Sequence, residues 1–224
     1  MILRAEGIRR DFFRQRAGSN VFTAVQRLEF ELPAGKLTEI TGRSGSGKST
    51  LLNLLAGLLR PTEGRVWLGD TDIYSLPDGE LSKLRNRHIG VVPQGQTGLH
   101  ALTVAENVLL PTRLWGKGAD RAEALRLLET VGIGDLADVK PADLSGGELR
   151  RMAIARALIM KPDVLLADEP TGDLDDENTA AVLALLRDTA AAGTAVLLVT
   201  HEQEAARYAD SVYRMNAGAL ERLA

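Results

Sequence analysis

No cysteine occurs among the 224 residues, so neither a disulfide framework nor a thiolate metal site is available. Long apolar runs are also missing. No stretch approaches the roughly 20 apolar residues that span a bilayer, and Met1–Arg10 lacks the apolar segment of a secretory leader. Any membrane part is therefore expected on another chain. A strong charge of one sign is lacking too. With 27 basic and 30 acidic residues the net charge is −3, which gives no general electrostatic reason to bind nucleic acid or anionic lipid. Repeats, low-complexity segments and long linkers are absent from the sequence. What is present is a hydrophobic fraction of 45%, enough for a real core in one large domain or two small lobes.

One stretch organises the rest. Gly42-Arg43-Ser44-Gly45-Ser46-Gly47-Lys48-Ser49-Thr50 fits the pattern G-x-x-x-x-G-K-[ST] at every fixed position. Glycines let the backbone curl around an anion, so that its N–H groups point at phosphate oxygens. Lys48 supplies a cation for the β- and γ-phosphates, and the Ser49 hydroxyl can complete a Mg²⁺ shell. Leu37–Thr41 before the loop reads as a strand. Leu51, Leu54, Leu55 and Leu58 after it fall on one helical face that Pro61 closes. Such a helix aims its positive end at the same phosphates.

The segments before the loop carry mixed apolar patches divided by Gly18-Ser19-Asn20 and Pro33-Ala34-Gly35, and read as antiparallel strands. Arg65–Leu68 reads as a further strand of that sheet. Phe12 or Phe13 can offer a ring to a purine base; the alternative is a core aromatic. Asp78–Asn86 reads as a helix. Ile89–Pro93 reads as a buried strand ending at Gln94, which alone is no more than a loop residue. Residues 97–160 change to helical patterning, with capping signals at Thr103/Glu106 and Asp120/Glu123 and a possible bend or stop at Pro111. Leu144-Ser145-Gly146-Gly147-Glu148 opens a further helix. Capping accounts for Ser145 and Glu148, while two glycines in a first turn cost about 1 kcal/mol each and leave room for a close ligand such as a phosphate.

Val164–Asp168 is a fully apolar run ending in Asp168 and Glu169. Buried parallel strands look like this, and ligands sit at their carboxyl ends. Asp168 is placed to hold Mg²⁺ through water and Glu169 to take a proton from an attacking water; a solvated acidic turn is the alternative. Gly172–Asp175 is a tight acidic loop. After a helix over Asn178–Ala192, Thr194–Thr200 forms another buried run, with His201 at its end able to donate to a γ-phosphate. Met215–Ala219 reads as a hairpin turn.

Taken together these residues resemble the ATP-binding-cassette ATPases over nearly the whole chain. The motifs come in the family's order: Phe12, Gly42–Thr50, Gln94, Leu144–Glu148, Val164–Glu169, Gly172–Asp175 and His201. The Leu144–Glu148 segment, about twenty residues ahead of the acidic strand, discriminates most strongly. Glu169–Asp175 and Leu84–Gly90 resemble the branch serving lipoprotein release, macrolide or peptide export, and bacterial cell division. Departures are Asp173 for asparagine, Leu149 for glutamine after the signature, and Gly98-Leu99-His100 for the usual segment that faces the membrane partner.

The resemblance implies an α/β fold: a P-loop NTPase of ABC type with a RecA-like core, an antiparallel β subdomain and an inserted α-helical subdomain. About residues 1–96 and 162–224 form the core and about 97–161 the helical part of one domain. It implies that ATP lies on Lys48 of one copy, with Phe12 at the base and Gly42, Ser44, Gly45, Ser46, Gly47, Ser49 and Thr50 around the phosphates. A second copy would cover it with Ser145, Gly146, Gly147, Glu148 and Asp175 at the seam. Mg²⁺ would be held by Ser49, Gln94 and Asp168, with Glu169 as general base and His201 on the γ-phosphate and water. The implied partners are a separate membrane permease at the cytoplasmic face and a second copy, without nucleic acid. The implied work is transport, with an export bias for lipophilic, peptide or drug-like cargo. The alternative is a mechanotransmitting ATPase of a cell-division or envelope complex that transports nothing. A chromosome-clamp ATPase would need a long coiled coil between Gln94 and the signature, where only about fifty residues lie.

Overall fold

Two sheets divide the chain, and the glycine-rich loop lies where they meet. The structure, a computed structural model, describes residues 3–13, 21–95, 98–114, 120–172 and 174–223, with only the backbone of Gln203. The expected turn at 18–20, together with Gln96 and Asp173, lies outside the described residues. β1 (Leu3–Phe13) pairs antiparallel with β2 (Val21–Leu32) and with β4 (Glu63–Leu68), and β5 (Thr71–Asp72) completes a sheet of order β2-β1-β4-β5. Alternation along β1 buries Leu3 and Ala5 and exposes Arg4 and Glu6, the period-2 signature of a half-buried strand.

The second sheet is mostly parallel. It contains β3 (Leu37–Thr41), β6 (Ile89–Val92), β7 (Val164–Asp168), β8 (Ala195–Val199), β9 (Ser211–Asn216) and β10 (Ala219–Arg222), in the order β10-β9-β3-β8-β7-β6. Every residue of β7 and β8 is buried, as expected of parallel strands covered on both faces. β9 and β10 form the expected hairpin, turned by Ala217 and Gly218 at φ 46° and 82°.

β3 carries one misfit. Glu39 is 2% exposed, and its Oε2 has no hydrogen-bond partner. Burial alone pushes its carboxyl up to about 7.

α1 (Lys48–Leu55) begins in the loop and buries Leu51, Leu54 and Leu55 completely between the two sheets, worth about 1.5–3 kcal/mol for each side chain. The helix ends earlier than the leucine spacing predicts. Gly57 takes a left-handed conformation at φ 71°, Gly57 N–H donates to Leu54 O and Leu58 N–H to Asn53 O. This 5→2 and 6→1 pair closes the helix before Pro61 and leaves Leu58 54% exposed.

The other helices are α2 (Asp78–His88), α3 (Val104–Leu114), α4 (Arg121–Thr130), α5 (Gly146–Leu158) and α6 (Asp176–Ala191). α3, α4 and α5 share a separate core whose buried members all lie between Val104 and Ile159. Thr103 and Glu106 close the expected capping box, with Thr103 N–H to Glu106 Oε2 at 2.8 Å and Glu106 N–H to Thr103 Oγ1 at 3.3 Å. Pro111 lies inside α3, which continues to Leu114; the carbonyl of Pro111 accepts from Asn86 Nδ2 at 3.1 Å. Asp120 caps α4 through Glu123 N–H, but the Glu123 carboxylate turns to Arg126 and Lys161 rather than back to the cap.

Candidate nucleotide site

The carboxyl ends of β3, β6, β7 and β8 all open on one cleft of about 850 Å³. β3 delivers the Gly42–Thr50 loop, β6 delivers Gln94, β7 delivers Glu169, and β8 delivers His201; Asp168, the last residue of β7, is buried and does not line the cleft. This is the position where open parallel sheets hold ligands.

The loop is shaped by close backbone approach. A Cβ on Gly47 would lie 2.2 Å from Ala24 O, and one on Gly42 would lie 2.3 Å from Met215 O. Both glycines also have positive φ, at 109° and 151°. Gly47 heads α1 with no side-chain cap and no acidic residue follows in the first turn, so the N–H groups there face the cleft free for an anion. Lys48 is buried, and its Nζ donates to Gly42 O at 2.8 Å and Arg43 O at 3.2 Å. The ammonium is thus held within the loop it serves. Ser44, Gly45, Ser49 and Thr50 line the cleft. Ser46 does not: its side chain is buried against Gly42, and its carbonyl accepts from Gly218 N–H at 2.9 Å.

Asp168 is 5% exposed. Burial raises its carboxyl above the usual range, opposed by a hydrogen bond from Ser49 and reinforced by the Glu169 charge. Its Oδ1 is buried without a partner. A hydroxyl on one carboxylate oxygen and an orphaned second oxygen form a hard-oxygen pair that suits Mg²⁺. Among the described residues no group of three or more His, Cys, Asp or Glu side chains is arranged to hold a metal. A Mg²⁺ bound through one or two protein oxygens plus substrate phosphates needs no such group. Gln94 is exposed at the cleft wall and can add an amide oxygen.

Glu169 follows β7 in a left-handed conformation, φ 49°, a strained choice for a side chain of this kind. Glu169 N–H donates to Val199 O at 2.8 Å, and Gly172 N–H to Glu169 O at 3.2 Å, which fixes the turn. The carboxylate, 12% exposed, meets His201 Nδ1 at 2.8 Å. Glu169 and His201 are therefore partners of each other here, and both border the cleft.

Several predicted residues lie elsewhere. Phe12 stands opposite Phe22 across the β1–β2 ladder, but the Arg10 guanidinium covers its ring at 4.6 Å; Phe22 and Ala24 are the β2 residues on the cleft wall. Ser145, Gly146, Gly147 and Glu148 are outside the cleft. They begin α5 as a capping box, with Ser145 N–H to Glu148 Oε2 at 2.7 Å and Glu148 N–H to Ser145 Oγ at 3.3 Å. Asp175 is likewise outside it, because its carboxylate caps α6 by accepting from Asn178 N–H at 2.8 Å. One copy of the chain thus does not bring the signature to the phosphate loop.

Arg150 was not among the predicted residues, yet it lines the cleft while 7% exposed. The signal was present: Arg150, Ala153, Ile154 and Ala157 share one α5 face at i, i+3, i+4 and i+7, so a charge occupies the buried stripe.

Residues 25–172 match the family model described as ABC transporter. The chain is 42% identical to the "Lipoprotein-releasing system ATP-binding protein LolD" of Xanthomonas campestris pv. campestris, covering all of this chain and 93% of that protein. It is also 42% identical to the "Macrolide export ATP-binding/permease protein MacB" of Rhodopirellula baltica, covering 95% of this chain and 31% of that longer protein. Among solved structures, the dimeric post-hydrolysis state of the ATP-binding cassette MJ0796 bound to ADP and Pi superposes with a TM-score of 0.90. The identity there is 33%, over 99% of both chains.

Proposed function

The chain belongs to the ABC transporter family as one of its ATP hydrolases, and on that premise we propose that it powers a separate membrane permease from the cytoplasmic face. The proposed work is export or extraction of a lipophilic, peptide or drug-like cargo. Full-length similarity to a lipoprotein-releasing ATPase and partial similarity to a macrolide exporter support that direction. The observation that carries the catalytic reading is the convergence of an uncapped helix start, Lys48, Ser49 and the Glu169–His201 pair on one cleft, with the buried Asp168 carboxylate bonded to Ser49 and keeping an orphaned oxygen.

In this reading ATP phosphates take the free N–H groups of the loop, and Lys48 Nζ exchanges carbonyls of its own loop for phosphate oxygens. Phe22, with Phe12 beside it, flanks the base. Ser49, Gln94 and Asp168 would hold Mg²⁺, which when bound would neutralise phosphate charge. Glu169 accepts the proton of the attacking water, and His201 orients the carboxylate and the γ-phosphate. General-base assistance contributes about 10²–10⁴ in rate. A second copy supplies Ser145–Glu148 across the seam, in keeping with the exposure of Ser145 and Gly146 and the partial exposure of Gly147 and Glu148 at the start of α5.

The experiment is Glu169→Gln, assayed for ATP binding, turnover and size-exclusion behaviour with ATP. Retained binding, a loss of turnover of roughly 10²-fold or more and an accumulated dimer are expected. Unchanged turnover would remove Glu169 as the base, and a strictly monomeric variant would remove the proposed pairing.

A further inference from the structure

We propose that Arg150 is a positioning residue for Gln94, tying the start of α5 to the metal side of the cleft. Its Nη1 donates to Pro93 O at 3.3 Å and to Gly95 O at 3.2 Å, the two carbonyls that flank Gln94. Gly95 has φ 93°, so the chain turns sharply between the two bonds. The other arm of the guanidinium reaches the turn behind Glu169: a Cβ placed on Gly172 would lie 3.6 Å from Nη2, and Gly172 N–H bonds Glu169 O. One planar group therefore spans the loop carrying Gln94 and the turn carrying Glu169.

The base of that side chain is equally constrained. Arg150 sits one helical turn after Ser145–Gly147, on the α5 face whose Ala153, Ile154 and Ala157 pack into the core of the parallel sheet. A rotation of α5 thus cannot occur without moving Nη1, and with it the carbonyls on either side of Gln94. A buried cation costs free energy unless it is hydrogen-bonded in place, so this side chain is fixed rather than free to reorient. Occupancy of the Ser145–Gly147 segment, exposed at Ser145 and Gly146, is thereby transmitted to Gln94 within one chain.

The inference rests on the ATPase reading of the cleft. Lys48→Ala, run alongside, tests that reading separately, since wild-type turnover that Lys48→Ala abolishes upholds it whatever Arg150 does. The test proper is a double-mutant cycle of Arg150→Ala and Gln94→Ala on ATP turnover. Arg150→Ala is expected to lower kcat about ten-fold with KM for ATP changed less than about three-fold. On the Gln94→Ala background it is expected to change kcat less than about two-fold, because the group it positions is gone. Arg150→Gln, which keeps an N–H donor, is expected to recover at least part of the loss. Independent, multiplying effects of the two alanines would overturn the inference, as would an unchanged kcat in Arg150→Ala. Should Arg150→Ala not fold, Arg150→Leu takes its place in the cycle. Failure of both to fold also counts against the proposal, because Arg150 would then act through the core rather than through Gln94.

Discussion

Glu39 makes stability depend on pH in a direction opposite to that of a salt-bridged carboxylate. Its carboxyl lies at 4.5 when unfolded and about 7 when folded, with burial as the cause. Between those values the folded chain keeps a proton that the unfolded chain has lost, so stability falls as pH rises through the window and levels off above it. At about 1.4 kcal/mol per pH unit, the part of that window lying between about pH 5 and about pH 8 amounts to about 2.5 kcal/mol. Glu39→Gln removes the titration. The amide has its own burial cost, but that cost is the same at both pH values and cancels in the comparison. Urea unfolding of wild type and Glu39→Gln at the two pH values measures it. The stability difference between them should shift toward the glutamine variant by about 2.5 kcal/mol from the lower pH to the higher. A shift under about 0.5 kcal/mol, or one favouring the wild type, would refute the reasoning.

Three further outcomes follow from the geometry. Gly47→Ala places a methyl 2.2 Å from Ala24 O at a φ of 109°, and is expected to destabilise the fold by about 2 kcal/mol or more and abolish binding of a fluorescent ATP analogue. Phe22→Ala is expected to weaken that binding by about ten-fold, the scale of one base–aromatic stack, and more than Phe12→Ala does; equal effects would return Phe12 to the cleft. Asp210 is held at about 2: burial pushes it up, but Leu37 N–H, Arg187 and Lys36 outweigh this. Its lowered value adds stability above the ordinary carboxylate range that is lost as pH falls through about 2. Asp210→Asn should therefore cost about 1 kcal/mol at neutral pH in a denaturant titration, and less near pH 2.

The strands were legible because burial on two faces leaves uninterrupted apolar runs such as Val164–Ala167, and burial on one face leaves alternation. Ser145/Glu148 and Thr103/Glu106 were legible because a capping box is local. The phosphate loop was legible for the same reason: its glycines answer contacts within a short span. What was missed depends on distance in sequence. Leucine spacing carried α1 through Leu58, although Gly57 had already reversed the chain. Phe12 and Phe22 are register partners, and only the placement of Arg10 decides which ring is covered. Asp175 reads as a ligand in a motif, but its nearest N–H groups belong to its own helix. The partners of Arg150 lie 57 and 55 residues away, beyond any local pattern.

The wall behind the phosphate loop has a consequence for how the protein is made. Gln26 N–H donates to Gly218 O and Gly218 N–H donates to Ser46 O, while Met215 O presses on Gly42. An early strand, the loop and a late hairpin are joined there at a single knot. Domains emerge from the ribosome N-terminus first, so the loop is synthesised long before its support. A nascent chain that has not yet extruded residues 215–218 carries the phosphate-binding motif without its backing. Competence to hold ATP therefore arrives late in translation, and capture on an ATP resin separates chains that contain the hairpin from those stalled before it.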